Sequence, residues 1–495
     1  MTPMDTFSDL FRPLEYTLTV PYVATMISIK HLICMTLFII INALFVLYGP
    51  FTLHPYYKHY SLPPWGLLDR RASYVGMVNW SFAIVLGTRN SLLTRMSGLT
   101  FEALIPFHRW VSRVGLVEML LHSFYRMYDG YFYNYKFWDI FFYTDEWTSG
   151  TISLLGYAIL FVTSVNYIRR HHFRIFYYSH IFGYLFGTIF AFMHEVTCIY
   201  FFVPPVLLWI LDRVLRSYYS WSQPAKLLEL KEHHRKIVQA TFEYSRAGLF
   251  RPGQYIFTTF LDKPKASWRQ YADWYPMTIS DVNFRQKNVD RKSSDRGSSS
   301  PSAAASIHIK ALGDGTRQLM ESVVRGQDLE LRVDGPYGPR LRYRDYKVVA
   351  LFAVGIGITP ALTVLRDCIE SSRRRSCVQR VYLTWSATHA EEVEPFVDYL
   401  VHCIRLPSPV ELDLNIHLTR ETDDAKCLRL SESLETCNII IGKRPNIPDS
   451  IDKIADQVDH TSVWVHTCGS VQFMTTVINE AIRHRFDFHH ETFEF

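Results

Sequence analysis

Four histidines are spaced for metal chemistry. His108 and His122 are 14 residues apart, and so are His180 and His194. Fourteen residues of α-helix rise about 21 Å and complete almost four turns. Each pair therefore lies on one face of its helix, with one imidazole toward each end. If the two helices run parallel, His108 meets His180 at one level and His122 meets His194 at the other. Two facing neutral imidazoles can take one iron from opposite sides, which is bis-imidazole haem ligation. Two such levels would stack two haems into a path for electrons. The residues leave other readings open: four helix-packing histidines with internal hydrogen bonds, or a carboxylate–histidine metal site, for which Glu118 is the main acidic residue on these faces. Ionisable groups in apolar helices are costly, and matched spacing on two helices favours haem. Arg109 and Arg113 follow His108 and either pair with haem propionates or extend to a membrane interface. His31, His54, His59, His171 and His172 have no partner at helical spacing and are assigned to termini and loops.

The elements that must position these residues are read from composition. The 495 residues exceed one ordinary domain. Apolar residues make up 48% and charged residues 20%, the latter below the soluble norm of about 25%. The apolar excess lies before about residue 217. Six stretches there are long enough to span a bilayer: 26–48, 72–88, 101–121, 148–168, 175–197 and 199–215. Pro204 and Pro205 should kink the last. The third and fifth spans are both odd-numbered and so run parallel, as the histidines require. The first 25 residues carry Asp5, Asp9 and Glu15 and lack a cleavable apolar core. Charge bias decides orientation weakly: Arg89, Arg95, Arg169, Arg170 and Arg174 would flank inner turns, but Lys58, Arg70, Arg71, Arg126 and Lys136 would sit outside.

From about residue 217 the chain has ordinary soluble composition. Strand-like runs at 236–244 and 255–261, with Pro252-Gly253 between them, point to an antiparallel barrel. Residues 285–306 are polar and Ser-rich and read as a disordered loop. Beyond Tyr346, apolar strands at 347–354, 380–386, 411–418, 438–441 and 462–467 alternate with helical segments, the signature of a parallel sheet with helices on both faces. The net charge of +5 is modest, and no Arg–aromatic alternation suggests nucleic acid. The eight cysteines form no C-x-x-C pair, and six of them lie in the soluble half, as free thiols in a reducing compartment would.

The run Pro106-Phe107-His108-Arg109-Trp110, together with His122, His180 and His194, resembles the ferric reductase family, whose haem domain is shared by fungal metalloreductases and NADPH oxidases. The soluble half resembles the family's ferredoxin-reductase-like module. The resemblance covers roughly residues 70–495. It implies a multi-pass α-helical membrane haem domain of six helices, followed by an antiparallel β-barrel FAD domain and an α/β parallel-sheet NADP domain. The implied boundaries are a cytosolic tail at 1–25, the haem domain at 26–216, the FAD barrel at 217–345 and the NADP domain at 346–495.

Residues 275–280, with Tyr275, Pro276, Met277, Thr278 and Ser280, are similar to the family's flavin loop, with Tyr275 where the family usually has His. Thr278 and Ser280 would donate hydroxyl hydrogen bonds. The strand–turn–helix around His308, Lys310, Gly313, Gly315 and Thr316 resembles the flavin-diphosphate segment. Its helix start, near Thr316, would offer amides to phosphate, and Lys310 would add charge. Asp334-Gly335-Pro336-Tyr337-Gly338 matches the turn between the two soluble domains. Gly355, Gly357, Thr359 and Pro360 follow the first parallel strand and open a helix, a place for an NADPH pyrophosphate. Cys468-Gly469-Ser470 resembles the family's Cys-Gly-Pro motif near the nicotinamide, with Ser470 replacing Pro. Arg444, in Gly442-Lys443-Arg444-Pro445-Asn446, is the candidate for the 2′-phosphate. Phe495 is the candidate flavin lid, because family members end in an aromatic over the ring.

The resemblance implies a transmembrane metalloreductase that moves electrons from NADPH through FAD and two b-type haems to ferric or cupric chelates, in iron and copper homeostasis. Cytosolic NADPH sets the orientation, most simply in the plasma membrane, with the endoplasmic reticulum as alternative. A superoxide-generating NADPH oxidase, with O2 as acceptor, and a non-catalytic membrane scaffold are the competing readings. No partner subunit is named by the sequence.

Overall fold

The computed structural model describes residues 11–20, 24–48, 64–89, 101–222, 225–263, 266, 270–271, 273–284, 303–371, 376–459 and 462–492. The chain divides into two compact units, one of residues 31–216 and one of 1–30 with 217–495.

The first unit is helical. Its long helices are α1 (Ile29–Tyr48), α2 (Pro64–Leu86), α3 (Phe101–Phe132), α4 (Asp145–Thr163), α5 (Phe173–His194) and α6 (Cys198–Ser222), the last running on into the second unit. Each expected apolar stretch is helical, but the bounds differ where polar residues begin or end a helix. α2 starts at Pro64, well before the expected start, because Asp69, Arg70 and Arg71 interrupt apolarity without interrupting helix. Thr144 caps α4 by accepting from the Trp147 amide, and the Ser164 hydroxyl donates to Leu160 O at its other end. α6 runs through Pro204-Pro205 as one helix. Among the described residues only α1, α5 and residues 198–218 of α6 are long and apolar enough to cross a membrane by length and composition. α2, α3 and α4 carry polar residues that they bury against neighbours. The Asn79 amide in α2, for example, donates both to Asn42 Oδ1 in α1 and to Glu118 Oε2 in α3, at 2.7 Å each.

α2 packs along α3, and α4 along α5. The second contact is made of small residues. A methyl on Gly156 would lie 2.8 Å from the Gly187 amide nitrogen, and one on Gly183 would lie 2.7 Å from Gly156 O. Ser153 donates to Gly187 O at 2.8 Å across the same seam. Close backbone approach of this kind is how apolar helices gain packing in lipid.

The second unit holds two sheets. β3 (Lys226–His233), β4 (Ile237–Tyr244), β5 (Tyr255–Asp262), β6 (Tyr275–Phe284), β7 (Ala303–Lys310) and β8 (Leu329–Tyr337) form an antiparallel sheet in the order β3-β4-β7-β6-β5-β8. Phe242, Ile256, Ile307 and Leu331 are fully buried between its faces. β3 and β8, at its two ends, approach one another, but no ladder joins them among the described residues. The expected disordered loop needs correction at its end: residues 303–306 open β7, where Ala305 and Ser306 pair with both neighbours, while 285–302 lie outside the described residues.

The other sheet is wholly parallel: β9 (Val348–Val354), β10 (Arg380–Ala387), β11 (Glu411–Leu418), β12 (Cys437–Ile441), β13 (Val463–Cys468) and β14 (Asp487–Glu491), in the order β12-β11-β10-β9-β13-β14. β9 is apolar throughout because both its faces are covered. β14 was not foreseen; its residues DFHHE lack the apolar run of a central strand. The N-terminal segment is not merely a tail. β1 (Thr17–Val20) and β2 (Ala24–Ser28) form a hairpin, and the Asn479 side chain both accepts from the Thr17 amide at 2.9 Å and donates to Thr17 O at 3.0 Å.

The α4–α5 seam gives a direct test. Gly156→Ala should overpack it and cost about 1–3 kcal/mol, seen as earlier unfolding of the detergent-solubilised chain. An unchanged unfolding curve would mean that the seam is looser than its geometry implies.

Candidate functional site

The helical register brings the four histidines together in two pairs. His108 and His180 have ring centroids 6.2 Å apart with planes at 56°. His122 and His194 are 6.1 Å apart at 67°. Two imidazoles that each bind one metal ion in line, at about 2 Å per bond, place their ring centroids roughly 6 Å apart. The spacing of both pairs therefore fits a single iron between them.

The far side of each ring is anchored. His108 Nδ1 lies 2.8 Å from Ala83 O, His122 Nδ1 2.6 Å from Asp69 Oδ1, His180 Nδ1 3.0 Å from Ser164 Oγ, and His194 Nδ1 2.7 Å from Glu146 O. With Nδ1 donating in each case, Nε2 is left as the basic nitrogen, and no Nε2 of the four makes a hydrogen bond among the described residues. Metal-binding histidines are oriented in this way. Gly150 makes room for the fourth ring, since a methyl there would lie 2.6 Å from His194 Nδ1.

Two aromatic rings occupy the level between the pairs, and sequence reasoning missed them. Gly115 lies seven residues from both His108 and His122, and Gly187 seven from both His180 and His194, so each shares its histidines' face. The Trp80 indole fills the notch at Gly115 and the Tyr157 ring the notch at Gly187. The two rings lie 4.1 Å apart. The glycine midway along each histidine pair was the available signal. Arg113 lies over the Trp110 ring at 5.1 Å, and Arg109 is half-buried. The Glu118 carboxylate accepts from Asn79.

In the antiparallel sheet, the start of β6 meets the first turn of α7 (Asp314–Val324). A methyl on Gly315 would run into the Tyr275 hydroxyl, while Gly313 faces open space. Thr278 Oγ1 is buried without a hydrogen-bond partner, as a hydroxyl awaiting a ligand would be. Pro276 and Met277 are half-buried on the same strand. Other expected flavin contacts are engaged within the protein. Ser280 Oγ lies 2.9 Å from Ser306 O and 2.7 Å from His308 Nδ1. Lys310 pairs with Glu392 at 2.9 Å. Thr316 Oγ1 accepts from the Leu312 and Gly313 amides at 3.1 Å, capping its own helix, which begins at Asp314. Strand and helix-cap positions call for the same hydrogen-bonding groups that a flavin would use. His308 is buried against Phe396, ring to ring at 4.5 Å, and its Nε2 has no partner. Burial pushes its pKa down to about 3.

In the parallel sheet, β9 lies between β10 and β13, so the chain reverses its direction of sheet growth there. The crevice at the carboxyl ends of the strands flanking such a switch point is where open α/β sheets bind ligands. Gly355 follows β9 with φ +55° and faces open space, and Gly357 approaches so closely that a methyl would lie 2.6 Å from Cys468 O at the end of β13. Thr359 Oγ1 donates to Ile356 O in the first turn of α8 (Ile358–Ser371), and Pro360 is buried beside it. Gly469 continues from Cys468 with φ +159°. Burial raises the Cys468 thiol's pKa well above its usual value, with the nearby Glu491 charge adding to the shift. Thus Gly355, Gly357, Thr359, Pro360, Cys468 and Gly469 gather at one crevice. Arg444 does not: it is exposed after the edge strand β12, three strands from β9, or about 14 Å at sheet spacing. Phe495 lies outside the described residues.

The helical unit with its two imidazole pairs, followed in the chain by a nucleotide-type parallel sheet, has the parts of a membrane protein with flavin- and nicotinamide-binding features. Residues 72–194 match the model of the ferric reductase like transmembrane component, and residues 346–482 match that of the ferric reductase NAD binding domain. The first match contains all four paired histidines. The chain belongs to the ferric reductase family. It is 24% identical to ferric reductase transmembrane component 5 of Saccharomyces cerevisiae, over 82% of this chain and 57% of that protein. It is 26% identical to ferric reduction oxidase 4 of Arabidopsis thaliana, over 72% and 50%, and 23% identical to respiratory burst oxidase homolog protein B of the same plant, over 71% and 48%. The chain thus spans about half the length of the curated relatives it matches.

The depressed His308 fixes a pH dependence. The unfolded chain takes up a proton near the ordinary value of 6.5, whereas the folded ring stays neutral to about 3. Its contribution to stability is therefore full above pH 6.5 and is lost as the pH falls toward 3. Thermal unfolding at pH 7 and pH 5 should show a larger loss in the unsubstituted protein than in His308→Gln. Equal losses would contradict this.

Proposed function

We propose that the chain is a transmembrane metalloreductase that takes electrons from NADPH on one side of a membrane and delivers them to ferric or cupric chelates on the other. The observation that carries this is the pair of in-line imidazole sites, each at the spacing of one iron and each with its Nδ1 atoms anchored. When bound, FAD supplies hydride acceptance and single-electron release, and haem supplies one-electron relay.

The protein's part is placement. His108 and His180 would hold one haem iron, His122 and His194 the other. The Trp80–Tyr157 pair excludes lipid and water from the level between them. Tyr275, Thr278, Gly313 and Gly315 form the surface that takes the flavin. The glycines at 355 and 357 leave room for the nicotinamide pyrophosphate at the start of α8, and Cys468-Gly469 walls the nicotinamide end. Arg444 reaches the far end of an extended dinucleotide, at its 2′-phosphate. No side chain serves as a general base, because hydride and single electrons are what move.

All six long helices cross the bilayer in this reading, three of them with their polar residues turned inward. The second unit, with an FAD domain over about 217–345 and an NADP domain over 346–495, lies in the cytosol, and the plasma membrane is the site. The His108/His180 pair is then the inner level and the His122/His194 pair the outer. Metal as the acceptor is supported by relatives named ferric reductase and ferric reduction oxidase, and by the mild negative balance of residues 126–147, where Asp129, Asp139, Asp145 and Glu146 outnumber Arg126 and Lys136 and favour cationic species.

The test is the full chain, loaded with haem and FAD, in liposomes with NADPH on one side. Ferric chelate on the other side should be reduced, and His180→Ala should abolish nearly all of that reduction while leaving NADPH oxidation by a soluble dye acceptor intact. Superoxide production at full rate with ferric chelate ignored would overturn the assignment.

A further inference from the structure

Three of the four paired imidazoles direct Nδ1 to neutral oxygens, namely the backbone carbonyls of Ala83 and Glu146 and the hydroxyl of Ser164. The fourth differs. His122 Nδ1 lies 2.6 Å from a carboxylate oxygen of Asp69, a residue of α2 whose side chain is 2% exposed. The other oxygen of Asp69 lies 3.5 Å from Arg126, one helical turn beyond His122 on α3, and 4.0 Å from Arg70. Glu118, also buried on α3, accepts from Asn79 and makes no hydrogen bond to a paired histidine. Asp69 is thus the one carboxylate hydrogen-bonded to a candidate ligand among the described residues, and it serves one level only.

We propose that Asp69 is a positioning residue that makes His122 the most electron-rich of the four ligands and so lowers the reduction potential of the outer haem relative to a site built with uncharged acceptors. The inference rests on the haem reading above. A carboxylate that accepts the Nδ1 proton fixes the ring's tautomer and orientation and raises the basicity of Nε2. A more basic ligand stabilises the more positive ferric state. Burial strengthens the effect, because little water is present to screen the carboxylate. Arg126 fixes the Asp69 rotamer and moderates its charge. The electron would then leave the exit level with greater driving force toward an external acceptor, while the inner pair has no charged acceptor to lower its own potential.

The experiment is an equilibrium redox titration of the purified full chain carrying both haems, followed by visible absorption and by the low-spin ferric EPR signals. Asp69→Asn preserves shape and a hydrogen-bond acceptor but removes the charge. It should retain two haems per chain, raise one midpoint potential, shift that haem's EPR signal and leave the other midpoint in place. Arg126→Gln should move the same midpoint downward. Ser164→Ala should leave that midpoint unchanged. The proposal is overturned if Asp69→Asn keeps both haems with both midpoints unchanged, or moves the two equally. If Asp69→Asn loses the outer haem, Arg126→Gln decides: a lowered single midpoint supports the proposal and unmoved midpoints overturn it. An unsubstituted chain that binds no haem would instead defeat the reading on which this inference rests.

Discussion

An imidazole buried among apolar helices can turn one ring nitrogen toward a partner only if the proton on the other has an oxygen to go to. The helical unit meets this condition four times, from two helices. Ala83 and Asp69 in α2 serve the histidines of α3, and Ser164 and Glu146 at the two ends of α4 serve those of α5. This explains why α2 packs along α3 and α4 along α5, and why the α4–α5 seam is built of glycine and serine. A wider seam would draw Ser164 and Glu146 away from the rings they anchor. It also accounts for one polar residue of α2, Asp69, buried among apolar neighbours.

The second unit is governed by a different constraint, the reversal of strand order at β9. Only there do two adjacent parallel strands send their following loops in opposite directions and leave a crevice between them. Gly357 on one side and Gly469 on the other are small because a methyl on either would run into the opposite strand, at Cys468 and Val354, while Gly355 faces the open crevice. The antiparallel sheet is held to this domain by charged pairs: Lys310 to Glu392, Arg235 to Glu391, and Arg366 to Asp281. Lys310 ends β7 and Asp281 follows Ser280 in β6, so the strands that carry the expected flavin contacts also join the domains.

What was legible in the sequence was what periodicity controls. Helical rise set the register of His108 with His180 and of His122 with His194, and continuous apolar runs marked the central strands β9, β10 and β13. What was not legible depends on partners distant in sequence. Nothing local in Asp69 or Ser164 shows that it will meet a histidine 53 or 16 residues away. Ser280 and Thr316 have the right chemistry for a ligand, and the sequence does not show that they also meet a buried histidine and a helix start. β14 and the N-terminal hairpin escaped notice because one is polar and the other depends on Asn479, 462 residues along the chain.

The central claim is that two irons sit one above the other between α3 and α5. Pulsed EPR on the oxidised, haem-loaded chain measures it directly. The account predicts two low-spin ferric centres separated by about 20 Å, the rise of fourteen helical residues. A single centre, or two at a separation that fourteen residues of helix cannot give, would contradict it.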